Sequence, residues 1–400
     1  MGNLLARHLN RTVPVIACLI LALLPSQFLT QPRGPNEAGK TTPDRSESAR
    51  REDAGNEGLS LSLKEMREHV KDARPLALYY STCDTFGLDS VLEHSSDMTV
   101  LALQCYSLDP EGNIHGNVPE ALMDAARRAA LPVMALIYNQ DFNRQVTSKL
   151  LRNRHVQKRV IKNLVKIARQ QELLGFQLDF ENIDPDEINL YTRFVNEAAK
   201  KLHRDGRVLS VAVVPRFVGS RPGQWSAAYD YSALARASDF LTLMAYDNYS
   251  RLGGPGPIAG YDWVRNAIEY ARSRVPTDKL LLGIPLYGRE WTKERRGFQA
   301  RTLPYPETQA LLDRLSLKPR WDEQRRSPWF EYQTSGTTRR VWYEDARSIR
   351  EKLKLVEQFH LRGFAAWRLG MEDPRIWPLV SAWQENTPVT AKGRHTTTGF

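Results

Sequence analysis

Cysteine is scarce in this chain: three in 400 residues, and Cys18 lies inside an apolar leader. A fold stapled by several disulfides is therefore excluded. Cys83 and Cys105 fall near the ends of two neighbouring strand-like runs, and they form either one disulfide after export or two buried thiols. No cysteine or histidine spacing suits a metal, and no glycine-rich loop would cradle a phosphate. No metal and no organic cofactor are expected. Helix-turn-helix, zinc-finger and other nucleic-acid signatures are missing, so no nucleic-acid partner is expected either. There is no internal repeat and no wall-binding repeat. A long apolar run is lacking as well. The stretch from Val13 to Leu24, behind Arg7 and Arg11, has the length of a signal-peptide core and is short for a membrane span. No A-x-A site comes after it. Residues 1–29 thus read as a signal peptide or an uncleaved membrane anchor, with export in either case.

Apolar side chains are nearly absent from residues 30–58, which are rich in Pro, Gly, Ser and mixed charge. Such a segment cannot bury a core and reads as a disordered linker, able to tether the downstream domain to a membrane. Residues 387–400 read as a disordered tail. The whole chain is ordinary for a globular protein, with 42% hydrophobic and 26% charged residues. It carries a net charge of +10, and residues 1–58, with seven basic and six acidic side chains, contribute almost none of it. The folded part is therefore basic. That suits anionic polymers, wall material or lipid headgroups, or is a solvated surface with no specific partner.

From residue 59 to 386, strand-like and helix-like segments alternate. The strand-like runs are LALYYST, MTVLALQCYS, PVMALIYN, LLGFQLDFE, VLSVAVVP, FLTLMAYD, KLLLGIPLYG and GFAAWRLG. Helix-patterned segments such as PEALMDAARRAA and VQKRVIKNLVKIARQQE lie between them. Eight strands with helical crossovers predict an α/β fold, a (β/α)8 TIM barrel, expected as a monomer. The seventh and eighth strands are too far apart for one helix. The intervening segment, about 292–345, reads as a small α+β insertion on the face where such barrels keep their chemistry.

The most informative run is LLGFQLDFEN, Leu173 to Asn182. It is apolar enough for a buried parallel strand, yet it ends in two carboxylates. Alternation puts Gly175, Gln177, Asp179 and Glu181 on one face, at steps of about 7 Å, and Phe176, Leu178 and Phe180 on the other. Buried carboxylates are costly unless paired or used. These two either cap and pair locally or do chemistry at the C-terminal end of a barrel strand.

The segment LGFQLDFE resembles the DxxDxDxE strand of glycoside hydrolase family 18, which holds chitinases and related N-acetylglucosaminidases. Asp179 and Glu181 match the last two acids; Leu174 and Gln177 stand in place of the first two. The likeness continues in order through LMAYDNY, KLLLGIPLYGREW, VWYEDARSIREKL and GFAAWRLG, spanning roughly residues 75–383. It is closest to the bacterial branch of spore-cortex and cell-wall hydrolases, where the second acid is often an amide.

The resemblance implies an exported hydrolase of β-linked N-acetylglucosamine polymers (chitin, peptidoglycan or a related glycan). In this family the substrate's own acetamido group is the nucleophile. Glu181 takes the position of the general acid, its pKa raised by burial and by Asp179. Asp179 orients the acetamido group. Tyr246 would bond the acetamido carbonyl, and Asp247 the sugar or the acid. Trp367 would be the floor beneath the reacting ring. Gln177, Asn139 and Tyr287 are candidates for sugar hydrogen bonds. Trp291, Trp329 and Trp342 either extend a stacking groove or pack the insertion. Tyr and Asp at a strand end are otherwise ordinary cap chemistry, and a buried Trp is otherwise core. An amide at Gln177 cannot share a proton as an acid would, so a weakly active or inactive sugar-binding barrel is the alternative.

Overall fold

The computed structural model describes residues 61–386 except Arg74 and Arg296. The expected leader, linker and tail lie outside these residues. Eight parallel strands form the centre: β1 (Leu76–Thr82), β2 (Val100–Leu108), β3 (Val133–Asn139), β4 (Gly175–Asp179), β5 (Val208–Val213), β6 (Phe240–Leu243), β7 (Leu280–Pro285) and β8 (Gly363–Trp367). Each pairs with the next, and β8 pairs with β1 (Leu76↔Gly363 through Tyr79↔Ala366), so the sheet closes. This is the (β/α)8 TIM barrel that the alternation predicts.

The two faces of each strand feed two cores. Leu76, Leu78, Val100, Ala102, Met134, Leu136, Leu174, Phe240 and Leu281 fill the barrel interior. Phe176, Leu178 and Phe180 point outward against the helices, and Phe180 packs on Phe194 of helix Ile188–Arg204 at 6.1 Å between ring centroids. Leu174, which replaces an acid of the fuller motif, is fully buried in the interior layer.

Local signals set the helices. In helix Arg154–Gln170 the Asn153 side chain accepts from His155 N and Val156 N at the N-terminus, and Val160, Ile161, Leu164 and Ala168 form the buried stripe. Ser62 and Glu65 form a capping box on helix Leu63–Asp72, which precedes β1. Among the described residues no helix is long and apolar enough to cross a membrane.

Between β7 and β8 the chain builds a second, five-stranded sheet from Gly288 to Trp342, with helix Tyr305–Arg314 packed through Leu303, Phe330 and Val341. Trp291 and Trp342 are buried, and Trp329 is half-buried and stacked on Trp342 at 5.6 Å. Burial leaves Trp291 and Trp342 to core packing, and their share in a stacking groove is not seen.

Gly175 begins β4 where it runs against β5. A Cβ there would lie 1.9 Å from the Val208 carbonyl oxygen, which is backbone and cannot step aside. We expect Gly175→Ala to cost about 1–3 kcal/mol or more through overpacking. Urea denaturation beside wild type checks this; an unchanged midpoint would refute the close contact.

Candidate active site

β4 ends at Asp179, and Glu181 comes two residues later, just past the last ladder pair. The alternation expected through Glu181 therefore stops early, yet both acids reach the same recess. Asn139, the last residue of β3, holds the acid's backbone: its Oδ1 accepts from Glu181 N at 3.0 Å and its Nδ2 donates to Glu181 O at 3.1 Å. The Tyr229 hydroxyl donates to Phe180 O at 2.7 Å, and Arg144 bonds Asn182 through its carbonyl and side chain. The turn is thus fixed from three sides.

Both carboxyl groups are nearly out of water, with Asp179 5% and Glu181 2% exposed. Among the described residues neither has an ion-pair partner, and Asp179 Oδ1 and Glu181 Oε2 have no hydrogen-bond partner. Burial raises the pKa of Asp179 to about 6 against the pull of the Gln104 side-chain amide. Glu181 is pushed well above the usual carboxylate range, first by burial and then by the negative charges of Asp179 and Asp247. The pair is therefore suited to hold one proton between two roles near neutral pH.

β6 leaves the ladder at Leu243, four residues before the expected end. Two successive short turns come next, Ala245 N to Leu243 O and Tyr246 N to Met244 O, and Asp247 sits in the left-handed region at φ 61°. This path aims Tyr246 into the recess and Asp247 behind it. Arg289 Nη2 pairs with Asp247 Oδ1 at 2.6 Å, and the Tyr287 hydroxyl donates to the same oxygen. Arg289 also donates to Tyr249 O at 2.9 Å.

The recess is narrow and partly open, with a cavity volume of only about 10 Å³. Gln177, Asp179, Glu181, Tyr246 and Trp367 line it together with Tyr80, Leu136, Ala212 and Met244. Trp367 ends β8, joined to Arg368 by a cis peptide, and its ring lies tilted on Tyr80 at 5.4 Å. Gln177 is turned toward Tyr80: its Nε2 is 2.9 Å and its Oε1 3.1 Å from the tyrosine hydroxyl. Among the described residues no group of His, Cys, Asp and Glu suits a metal ion.

Residues 79–372 match the family described as glycosyl hydrolases family 18. The chain belongs to this family. It is a glycoside hydrolase, as the ordered motifs predict. A cortical fragment-lytic enzyme of Bacillus subtilis (strain 168) is 31% identical over 265 residues, which are 65% of this chain and 61% of that protein. The chain thus spans less than two thirds of that relative. Among solved structures, the spore cortex-lytic enzyme SleL of Bacillus megaterium QM B1551 is 26% identical with a TM-score of 0.71, covering 77% of this chain and 73% of SleL. A chitinase from Chromobacterium violaceum ATCC 12472 is 29% identical with a TM-score of 0.72, covering 78% and 99%.

Within this family 18 barrel, five of the eight residues singled out in the sequence meet in one recess. The other three sit behind it. Asn139 is fully buried and spends its amide on backbone; Tyr287 and Asp247 bond each other beneath the lining. Tyr80, Gln104 and Arg289 were not singled out. Tyr80 had a usable signal, since Leu76, Leu78 and Tyr80 alternate inward on β1. Arg289 had none, because its partner Asp247 is 42 positions away in the chain.

Because folding raises the pKa of Asp179, its contribution to stability is fully present below the ordinary carboxylate pKa and is lost as pH rises through about 6. An amide at 179 carries no such penalty. Asp179→Asn should therefore melt above wild type near neutral pH, and the gap should close below about pH 4. Calorimetry across that range tests the sign; a gap independent of pH would contradict it.

Proposed function

We propose that the protein is exported and hydrolyses β-linked N-acetylglucosamine polymers with retention of configuration, using the substrate's acetamido group as nucleophile. One observation carries this reading: two buried carboxyl groups, both raised in pKa and without an ion-pair partner among the described residues, stand in one recess edged by Trp367. The names of the relatives, a cortical fragment-lytic enzyme and a chitinase, support the class of substrate.

Glu181, whose burial and acidic neighbours favour the protonated form, donates its proton to the departing glycosidic oxygen. The acetamido carbonyl oxygen attacks the anomeric carbon from the opposite face, giving a cyclic oxazolinium ion. Asp179, once ionised, accepts from the acetamido N–H and balances the positive charge on the ring. Water then attacks the same carbon, and the Glu181 carboxylate takes its proton. Two inversions at one carbon give net retention. In this reading the Tyr246 hydroxyl bonds the acetamido oxygen and Trp367 offers an apolar surface to the sugar; both line the recess. Gln177 cannot hold a proton for Asp179, and its amide already serves Tyr80. Turnover is accordingly expected to be slower than with an acid at that position.

Glu181→Gln keeps the shape of the side chain and removes the proton. Hydrolysis of chitin oligomers should fall about 10²-fold or more while sugar affinity and fold persist. Near-normal turnover would remove Glu181 from its role. Oligomers of plain glucose should not be cleaved, because they lack the internal nucleophile. Efficient cleavage of them, measured by product chromatography, would rule out substrate assistance.

A further inference from the structure

β2 carries a bulge beside the two acids. Its register against β3 passes from Gln104↔Leu136 to Tyr106↔Ile137, so Cys105 is the extra residue. On its other edge β2 pairs with β1 as far as Thr82↔Gln104. A Cys83–Cys105 disulfide takes the next rung, with Cα atoms 5.3 Å apart, and Cys83 Sγ lies 3.1 Å from the Gln104 carbonyl oxygen. The alternative of two free thiols is not what the structure shows.

Bulges re-aim side chains next to active sites. Val100 and Ala102 face the barrel interior, and Gln104 continues that face. Beyond the bulge Tyr106 packs outward on Phe176 at 5.9 Å. Gln104 is thus the last inward residue before the break, half-buried at the barrel mouth. Its amide is the polar side chain that interacts with Asp179, while Gln177, the partner expected from spacing, is engaged with Tyr80.

We propose that Gln104 is a positioning residue for Asp179, and that the Cys83–Cys105 disulfide keeps it there by fixing the bulge. This rests on the glycosidase reading in so far as Asp179 is the carboxylate that orients the substrate. Cys83 is exposed, so a reductant can reach the bridge. Reduction adds two electrons and two protons, breaks the sulfur–sulfur bond and leaves two thiols; a phosphine reductant supplies the electrons and, with water, becomes its oxide. The freed rung then lets the bulge relax and Gln104 withdraw from the carboxylate.

The test tracks the titration of Asp179 in full-length, ligand-free protein by carboxyl carbon NMR, with Asp179→Asn identifying the signal. The other titratable groups facing Asp179 are Glu181, Tyr80, Tyr138, Tyr191, Tyr229 and Tyr246. None of them changes in the variants. In Gln104→Ala and in Gln104→Leu, which keeps the volume, the midpoint should rise, and kcat on chitin oligomers should fall roughly tenfold with a smaller change in KM. Phosphine treatment of wild type should move the midpoint the same way. The double variant Cys83→Ser, Cys105→Ser should start from the shifted value and ignore the reductant. An unchanged midpoint in both Gln104 variants overturns the positioning role, and an unchanged midpoint on reducing wild type overturns that of the disulfide. The titration needs no turnover, so a wild type that titrates as described but cleaves no glycan sinks the glycosidase reading instead.

Discussion

Two carboxyl groups placed side by side out of water, with no cation paired to either among the described residues, set the terms for the rest of this structure. Asp179 and Glu181 are each at most 5% exposed, and each leaves an oxygen without a partner. Burial of an ionised carboxylate is so costly that the group normally pairs or takes up a proton. Among the described residues no counter-ion pairs with either, so protonation is the remaining response, and both pKa values rise. A fold selected for stability alone would fill the place with apolar side chains. This barrel places an arginine one layer back, where Arg289 pairs with Asp247 and, among the described residues, leaves the first two acids without an ion-pair partner.

Holding such a pair requires rigid neighbours, and the structure supplies them from several strands. β3 contributes Asn139, which grips both the N–H and the C=O of Glu181. The loop after β5 contributes Tyr229, which grips the preceding carbonyl. The inserted sheet begins at Gly288, and its second residue is the Arg289 that pins Asp247 in its left-handed conformation. The insertion is therefore tied to the site by charge as well as by chain connectivity.

Much of this was legible in the residues themselves. Eight runs of strand-forming residues separated by helical patterns lead to a closed parallel barrel, because hydrophobic alternation and chain connectivity are local properties written along the sequence. The two acids, Tyr246 and Trp367 stood out as candidates because they lie at or just past the ends of strand-like runs within ordered motifs, and the fold brings all four into one recess. Less legible were strand limits. β6 stops at Leu243 and β4 at Asp179, since backbone ladders end where a neighbour stops pairing, and a single strand does not report that.

The sequence by itself determined the fold class, the family and which two carboxylates share a strand end. All three arise from patterns of nearest neighbours and short spacings. Tertiary structure alone decided the partners: Asn139 with the acid's backbone, Gln177 with Tyr80, Asp247 with Arg289, and Cys83 with Cys105. Each of these joins groups from different strands or from the turns that follow them. Closure of the barrel, its register and one bulge bring them within hydrogen-bond or covalent reach, and those are properties of the assembled sheet rather than of any one segment.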